Sequence, residues 1–252
     1  MKKLTKVALI IAAIVGVIGI CCLVGAVSMG LTWGAFTDMV EGGTLNFGPE
    51  KTLNIGKDGK TDGSIIEVKE DFHSIDVDFE AGDLKIYYDN VEKVQIQQEN
   101  VKGFKCYVDE GTLHVEESRG IKIVDTNRSI TIRVPQNYSF TEFDLEVGAG
   151  EATVDGVIAN EASISVGAGE IAITNLDAKE VDASADTGEL YLEVVGKKED
   201  YSYNLECDIG ELQIGEESYT GLGTEKKIKN PDATRFVEAD CDIGKVQINF
   251  TE

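Results

Sequence analysis

One pattern limits what this chain can fold into. Seven glycines, Gly82, Gly111, Gly150, Gly169, Gly188, Gly210 and Gly244, are flanked by apolar residues at the same five places: seven, five and three positions before the glycine, and two and four after it. The first copy reads Ile75, Val77, Phe79, Leu84, Ile86, the fourth Ala162, Ile164, Val166, Ile171, Ile173, and the last Val237, Ala239, Cys241, Val246, Ile248. The intervening positions are mostly polar, as at Asp76 and Asp78, Asp144 and Glu146, or Glu238 and Asp240. Alternation with a period of two on both sides of a glycine means strand, corner, strand, with one face buried and one in water, and it excludes helix.

From Gly150 to Gly210 the glycines step by 19, 19 and 22 residues, the period of a unit carrying two short strands and two corners. An identical apolar row in every copy suits a parallel β-solenoid of about seven strand-turn-strand repeats, each burying its row on its neighbours. The same parity fits a β-sandwich of hairpins, because residues three before and two after a glycine can pair across a four-residue turn. Residues 219–235, with Gly221, Gly223, Lys226, Lys227, Lys229 and Pro231, read as a surface loop inserted before the last copy.

Charge divides the chain. There are 46 Asp plus Glu against 23 Lys plus Arg, a net charge of −23, and the absence of a basic face excludes a nucleic-acid partner. Before Asp38 the only ionisable side chains are Lys2, Lys3 and Lys6. Residues 7–29 are apolar and long enough, at 1.5 Å per helical residue, to cross a hydrocarbon core of about 30 Å. They exceed the usual h-region of a cleaved signal peptide, about 7–15 residues, although Ala26 and Ser28 supply a small-x-small site. The expectation is therefore a cytoplasmic tail (1–6), a transmembrane helix (7–29), a juxtamembrane linker and cap (30–70), and a repeat domain (71–252) outside the cell membrane. The lysines hold the N-terminus inside, and Trp33 sits at the interface. Cys21 and Cys22 do not fit an acylated lipoprotein cysteine, since Ile20 precedes them and Leu23 to Val27 continue the apolar run.

Ile130-Thr-Ile-Arg-Val-Pro135, followed by Phe143-Asp-Leu-Glu-Val-Gly-Ala-Gly-Glu151 and Ile164-Ser-Val-Gly-Ala-Gly-Glu170, resembles the bacterial "putative adhesin" family DUF4097, also described as β-strand repeat-containing. The resemblance covers about residues 70 to 252. It implies a parallel β-solenoid on a bacterial cell surface. The late copies depart from it, with Asp186-Thr-Gly188, Asp208-Ile-Gly210 and Asp242-Ile-Gly244 in place of Gly-Ala-Gly.

Catalytic machinery is sparse. The two histidines, His73 and His114, read as solvated surface groups, and no nucleophile elbow, HExxH or phosphate loop occurs. No catalytic or cofactor-binding residue is assigned. Stacked copies would place Glu151, Glu170, Glu189 and Glu211 in one column, and Asp186 and Asp208 on the same corner. Asp186, Glu189, Asp208 and Glu211 are thus weak candidate ligands for Ca²⁺, with solvated carboxylates the favoured reading. Cys207 and Cys241 share a column, and stacked inward side chains aim poorly for a disulfide. Cys106 reads as a buried free thiol. The expected function is a membrane-anchored, non-enzymatic, adhesin-like binding or scaffolding module, held in the bilayer by residues 7–29 and meeting an envelope protein or glycan. The rivals are a polysaccharide-active enzyme on a β-helix and an accessory protein of an envelope-stress signalling system.

Overall fold

A computed structural model describes residues 63, 65–101, 103–117 and 128–251, all within one unit, Thr52–Glu252. The apolar run 7–29, and with it the expected anchor, lies outside the described residues. The described part is all-β, with a single 3-10 turn at Lys198–Asp200, and none of its helices is long and apolar enough to cross a membrane.

Ten strands follow in chain order: β1 (Ile65–Glu67), β2 (Ser74–Asp89), β3 (Gln95–Glu99), β4 (Phe104–Asp109), β5 (Thr112–Glu117), β6 (Ser129–Pro135), β7 (Phe140–Val195), β8 (Tyr201–Ile214), β9 (Glu217–Ile228) and β10 (Arg235–Thr251). They form one sheet in the order β1-β3-β6-β2-β7-β10-β8-β9, with β5 pairing both β2 and β4. The three pairings at its centre, β2 with β7, β7 with β10 and β10 with β8, are parallel and in register, glycine beside glycine: Gly82 with Gly150, Gly188 with Gly244, and Gly244 with Gly210.

The glycines are required by this approach. A Cβ on Gly188 would lie 2.6 Å from the Gly169 carbonyl oxygen, and one on Gly169 would lie 2.8 Å from the Gly150 nitrogen. Gly150 is seated in the same way on Gly82, and both Gly210 and Gly150 have positive φ, +157° and +124°. No L side chain fits such a corner without separating the layers.

The alternating phase holds. All five apolar positions of every copy are buried except Phe104 and Val108, which are half-buried. Both belong to the Gly111 copy, and there the expected layer is absent. β4 and β5 form an antiparallel hairpin in which Val108 faces Leu113. The hairpin alternative is met at that glycine, whereas at Gly82, Gly150, Gly188, Gly210 and Gly244 the strand runs through the glycine in a parallel ladder. β5 and β6 lie in turn along the two halves of β2, Leu113 beside Ile75 and Ile130 beside Leu84.

Each 19-residue period carries three buried runs rather than two. Ala152 and Val154, then Val157 and Ala159, then Ala162, Ile164 and Val166 are repeated by Ile171 and Ile173, Leu176 and Ala178, and Val181, Ala183 and Ala185. The parity shifts between runs mark bends, and the extra bend sits at Gly156 and Asn175, both with positive φ (87° and 52°). Burying a Val, Leu or Ile side chain is worth about 1.5–3 kcal/mol, so this third row adds substantially to the core. Aromatic rings extend it: Tyr201, Tyr203 and Phe250 lie within 6.2 Å of one another by ring centroid.

Two further expectations are corrected. Residues 219–228 of the expected surface loop belong to strand β9, which pairs antiparallel along β8 from Glu217 opposite Ile214 to Ile228 opposite Tyr203. The layers also do not follow chain order at their end: β10, the last copy, lies between β7 and β8.

Candidate functional site: a basic cleft on an acidic stack

The order of the last layers decides the fate of the candidate metal ligands. Lys245 pairs in register with Glu189 on one side and Glu211 on the other. Its Nζ lies 3.9 Å from a Glu211 carboxylate oxygen and 5.6 Å from the Tyr191 ring centroid. Asp186 and Glu189 are therefore separated from Asp208 and Glu211 by a whole layer carrying an ammonium group, so the four are not brought together. Among the described residues no group of three or more His, Cys, Asp or Glu side chains is arranged to hold a metal ion.

The outward columns remain strongly acidic. Burial, followed by Asp76, Glu142 and Glu161, holds the Asp144 carboxyl above its ordinary range. The Asp240 carboxyl is raised in the same way by burial, then by Glu238, Glu206, Asp182 and Asp242. Where β5 meets β2, His114 is half-buried rather than solvated: Nδ1 lies 3.0 Å from Asp76 Oδ2, and the ring stacks on Tyr107 at 4.8 Å. Tyr107 in turn donates to Glu116 at 2.6 Å. His73 lies 3.1 Å from the Ser74 hydroxyl. The three cysteines of the described part are buried free thiols, Cys207 beside Cys241 in register.

Sequence reasoning did not assign one concavity among the described residues. A cleft of about 720 Å³ opens where β7, β8, β9 and the start of β10 meet. Four cations line it, Lys179, Lys227, Lys229 and Arg235, against a single carboxylate, Glu180. Asn204, Ser202 and Thr234 add amide and hydroxyl groups, and Tyr203 and Phe236 add rings. The register explains the convergence. Phe236 of β10 sits between Glu180 of β7 and Ser202 of β8, while Asn204 lies opposite Lys227 of β9.

The cations are held to different degrees. Arg235 is fixed by Asp177 at 2.7 Å, the Val195 carbonyl at 2.9 Å and the Tyr201 hydroxyl at 3.0 Å. Lys179 donates to Asn160 Oδ1 at 2.8 Å. Lys227 pairs with Glu225 at 2.7 Å, and that hydrogen bond holds its ammonium above the ordinary lysine range. Lys229 has no hydrogen-bonding or ionic partner among the described residues, and it is exposed. Phe236 is 37% exposed, an aromatic face left open to water. The signal available in the sequence was the lysine group 226, 227 and 229, whose meaning depends on β9 being a strand paired along β8, which brings Lys227 and Lys229 to the cleft that the start of β10 also lines.

A stack of parallel, in-register layers with glycine corners defines the class of all-β protein to which this chain is assigned. The chain belongs to the DUF4097 family: the family model, described as Toastrack DUF4097, matches residues 65–222. Among solved structures it is similar to a "putative cell adhesion protein" from Clostridium sporogenes, with 17% identity and a TM-score of 0.55, over 76% of this chain and 100% of that one. That likeness is one of fold. A "putative adhesin" from Bacteroides fragilis matches at 13% identity and a TM-score of 0.33, over 75% of this chain and 98% of that one. A "putative lipid binding protein" from Parabacteroides distasonis matches at 11% identity and a TM-score of 0.32, over 77% and 98%. No curated protein matches the sequence.

Proposed function

We propose that this protein is a non-enzymatic binding or scaffolding module of a bacterial cell surface, its layered domain a parallel β-solenoid held at the membrane by residues 7–29 with the N-terminus inside. The basic cleft carries the reading. In an otherwise acidic domain the last layers gather four cations, an exposed ring and several amide and hydroxyl groups around one concavity, whose size falls in the usual range of ligand sites, about 300–1,000 Å³. Its one carboxylate, Glu180, has no second carboxylate in the lining to work with, whereas most glycoside hydrolases use a pair. The partner is an envelope component, and the second contact is the bilayer itself. A scaffolding role draws on one further observation: Leu222, 81% exposed on β9, lies opposite Ile209, which is itself beside Ile243, so three uncovered apolar side chains form a row.

The test is binding of the purified full chain, in detergent micelles, to washed envelope fragments. Saturable binding that the double variant Lys227→Gln/Lys229→Gln weakens at least tenfold is expected. Binding unaffected by the cleft would overturn the reading, as would turnover of any envelope polymer lost in a single Asp or Glu variant. Protease added to intact cells should remove the repeat domain. Protection in cells with accessible exteriors would place the domain inside.

A further inference from the structure

Resting on the reading of the cleft as a binding site, we infer that its ligand is an acidic saccharide: a sugar bearing a carboxylate or a phosphate. The lining divides by chemistry. Lys229 offers an ammonium group with no internal partner among the described residues, and Lys227, near the end of β9, is paired with Glu225 and also feels Glu206 and Glu238. An anion arriving there finds a cation not already neutralised by the protein. Arg235 is not such a group, since Asp177, the Val195 carbonyl and Tyr201 already occupy its guanidinium, and it serves as part of the wall.

A simple anion would leave the rest of the lining unused. Phe236 exposes its ring in a position where the register confines it between Glu180 and Ser202, and an open aromatic face suits the apolar C–H face of a sugar ring. Thr234 supplies a hydroxyl group and Asn204 an amide to match sugar hydroxyls, while the Ser202 hydroxyl is already engaged by the Asn230 backbone, accepting from its N–H at 3.2 Å and lying 3.5 Å from its carbonyl oxygen. Asn204 already donates to Glu238 at 2.5 Å, so its carbonyl oxygen is the part that remains to accept. Glu180 accepts as well and has no reason to be retained in a site for bare phosphate, where it would repel. Cations at one side, a ring, and hydroxyl-matching groups at the other therefore select a ligand that is acidic at one point and polyhydroxylated elsewhere.

The surrounding charge sharpens the selection. A net charge of −23 repels polyanions from most of the surface, so a short acidic saccharide that reaches the cleft is accepted while a dense polyanion is resisted. The site also lies at the β9 end of the sheet, opposite β1, the strand nearest in sequence to the apolar run.

Calorimetric titration of the purified full chain in zwitterionic micelles separates the possibilities, with glucuronate as the carboxylate probe and glucose 6-phosphate as the phosphate probe. Maltotriose is the sugar without an acid, and triglutamate the acid without a sugar. One or both acidic sugars should bind, at least tenfold tighter than either control, and should weaken as salt rises from 50 to 500 mM, a direction fixed by screening. Lys229→Gln, at an exposed position without partners, should lower affinity at least fivefold with melting unchanged. Phe236→Leu, which keeps an apolar contact and removes the ring, should lower it similarly. Binding of triglutamate equal to that of the acidic sugars, insensitive to Phe236→Leu, would overturn the saccharide assignment. Binding of maltotriose equal to theirs would overturn the acidic one, and binding of none of the four overturns the inference. The parent reading fails separately, by loss of cleft-dependent binding to envelope fragments.

Discussion

Replacing Gly169 by Ala tests whether the layers are held apart by no more than the width of a backbone. The Cβ would lie 2.8 Å from the Gly150 nitrogen and 2.9 Å from its carbonyl carbon, and nearer still to the carbonyl oxygen. Every one of these atoms is main chain of the neighbouring layer, which cannot swing aside as a side chain would. Alanine is strained at both positions, by about 1–2 kcal/mol at Gly223, whose φ of +63° is in the left-handed helical region, and by about 1–3 kcal/mol at Gly169, whose φ is +148°. What differs is space: nothing lies within 4 Å of the Cβ position at Gly223. Reaching ordinary contact at Gly169 requires the layers to part by at least about 0.5 Å, and a gap of that size already forfeits about a quarter of the dispersion well for each pair of atoms it separates. Summed with strained ladder hydrogen bonds, Gly169→Ala should cost about 3–5 kcal/mol, against about 1–2 for Gly223→Ala. Urea unfolding of the full chain in micelles, followed by the near-ultraviolet signal of its buried tyrosines, measures both. If Gly169→Ala costs no more than Gly223→Ala, the glycines serve turn geometry alone and the argument from close approach is wrong.

The remaining predictions concern charge and thiols. Asp144 and Asp240 have carboxyls raised above their ordinary range, so the folded state holds their protons more tightly than the unfolded chain. Their contribution to stability is fully present below the unfolded value of about 3.9 and is lost as pH rises through the raised folded value; the urea midpoint of the unaltered protein should gain on that of Asp144→Asn/Asp240→Asn as pH is lowered from about 6 towards about 4. A midpoint falling over that range equally in both proteins would refute this. Burial pushes the Cys106 thiol up to about 12, and burial and then Cys207 raise that of Cys241; peptide mapping after iodoacetamide at pH 8 should find neither modified until guanidinium is added. Lys245→Gln removes the cation between Glu189 and Glu211 and should lower stability by up to about 1 kcal/mol at low salt. In the unaltered protein, millimolar Ca²⁺ should not raise melting beyond matched ionic strength.

The strands and their buried faces were legible because period-two alternation is a local signal: Ile164 and Ser163 differ in fate through parity alone. Pairing was less legible. Gly111 carries the same flanking pattern as Gly150, yet one sits in a hairpin and the other in a parallel layer, since parity records which face is buried and is silent about what lies alongside. The third buried run escaped because it is short, Val157 and Ala159 or Leu176 and Ala178, and separated by a parity break. The basic cleft could not be read from spacing, because Lys179 and Lys229 are 50 residues apart and meet only through β9 and β10.

The exchange of the last two layers accounts for several of these features together. In chain order, Glu189 would lie beside Glu211, a like-charge contact that is unfavourable across strands. With β10 between β7 and β8, Lys245 stands between the two carboxylates instead. The same placement sets Arg235 against Asp177 at 2.7 Å and lays Tyr201 under its guanidinium, 5.6 Å from the ring centroid. β8 is then left at the end of the parallel run, its outer edge exposed, and β9 folds back along it from Glu217 to Ile228. That antiparallel cover blunts an edge open to further pairing. It also brings Lys227, and Lys229 just beyond the strand, to the cleft that the start of β10 lines, so the arrangement that relieves the acidic column is the one that assembles the cleft.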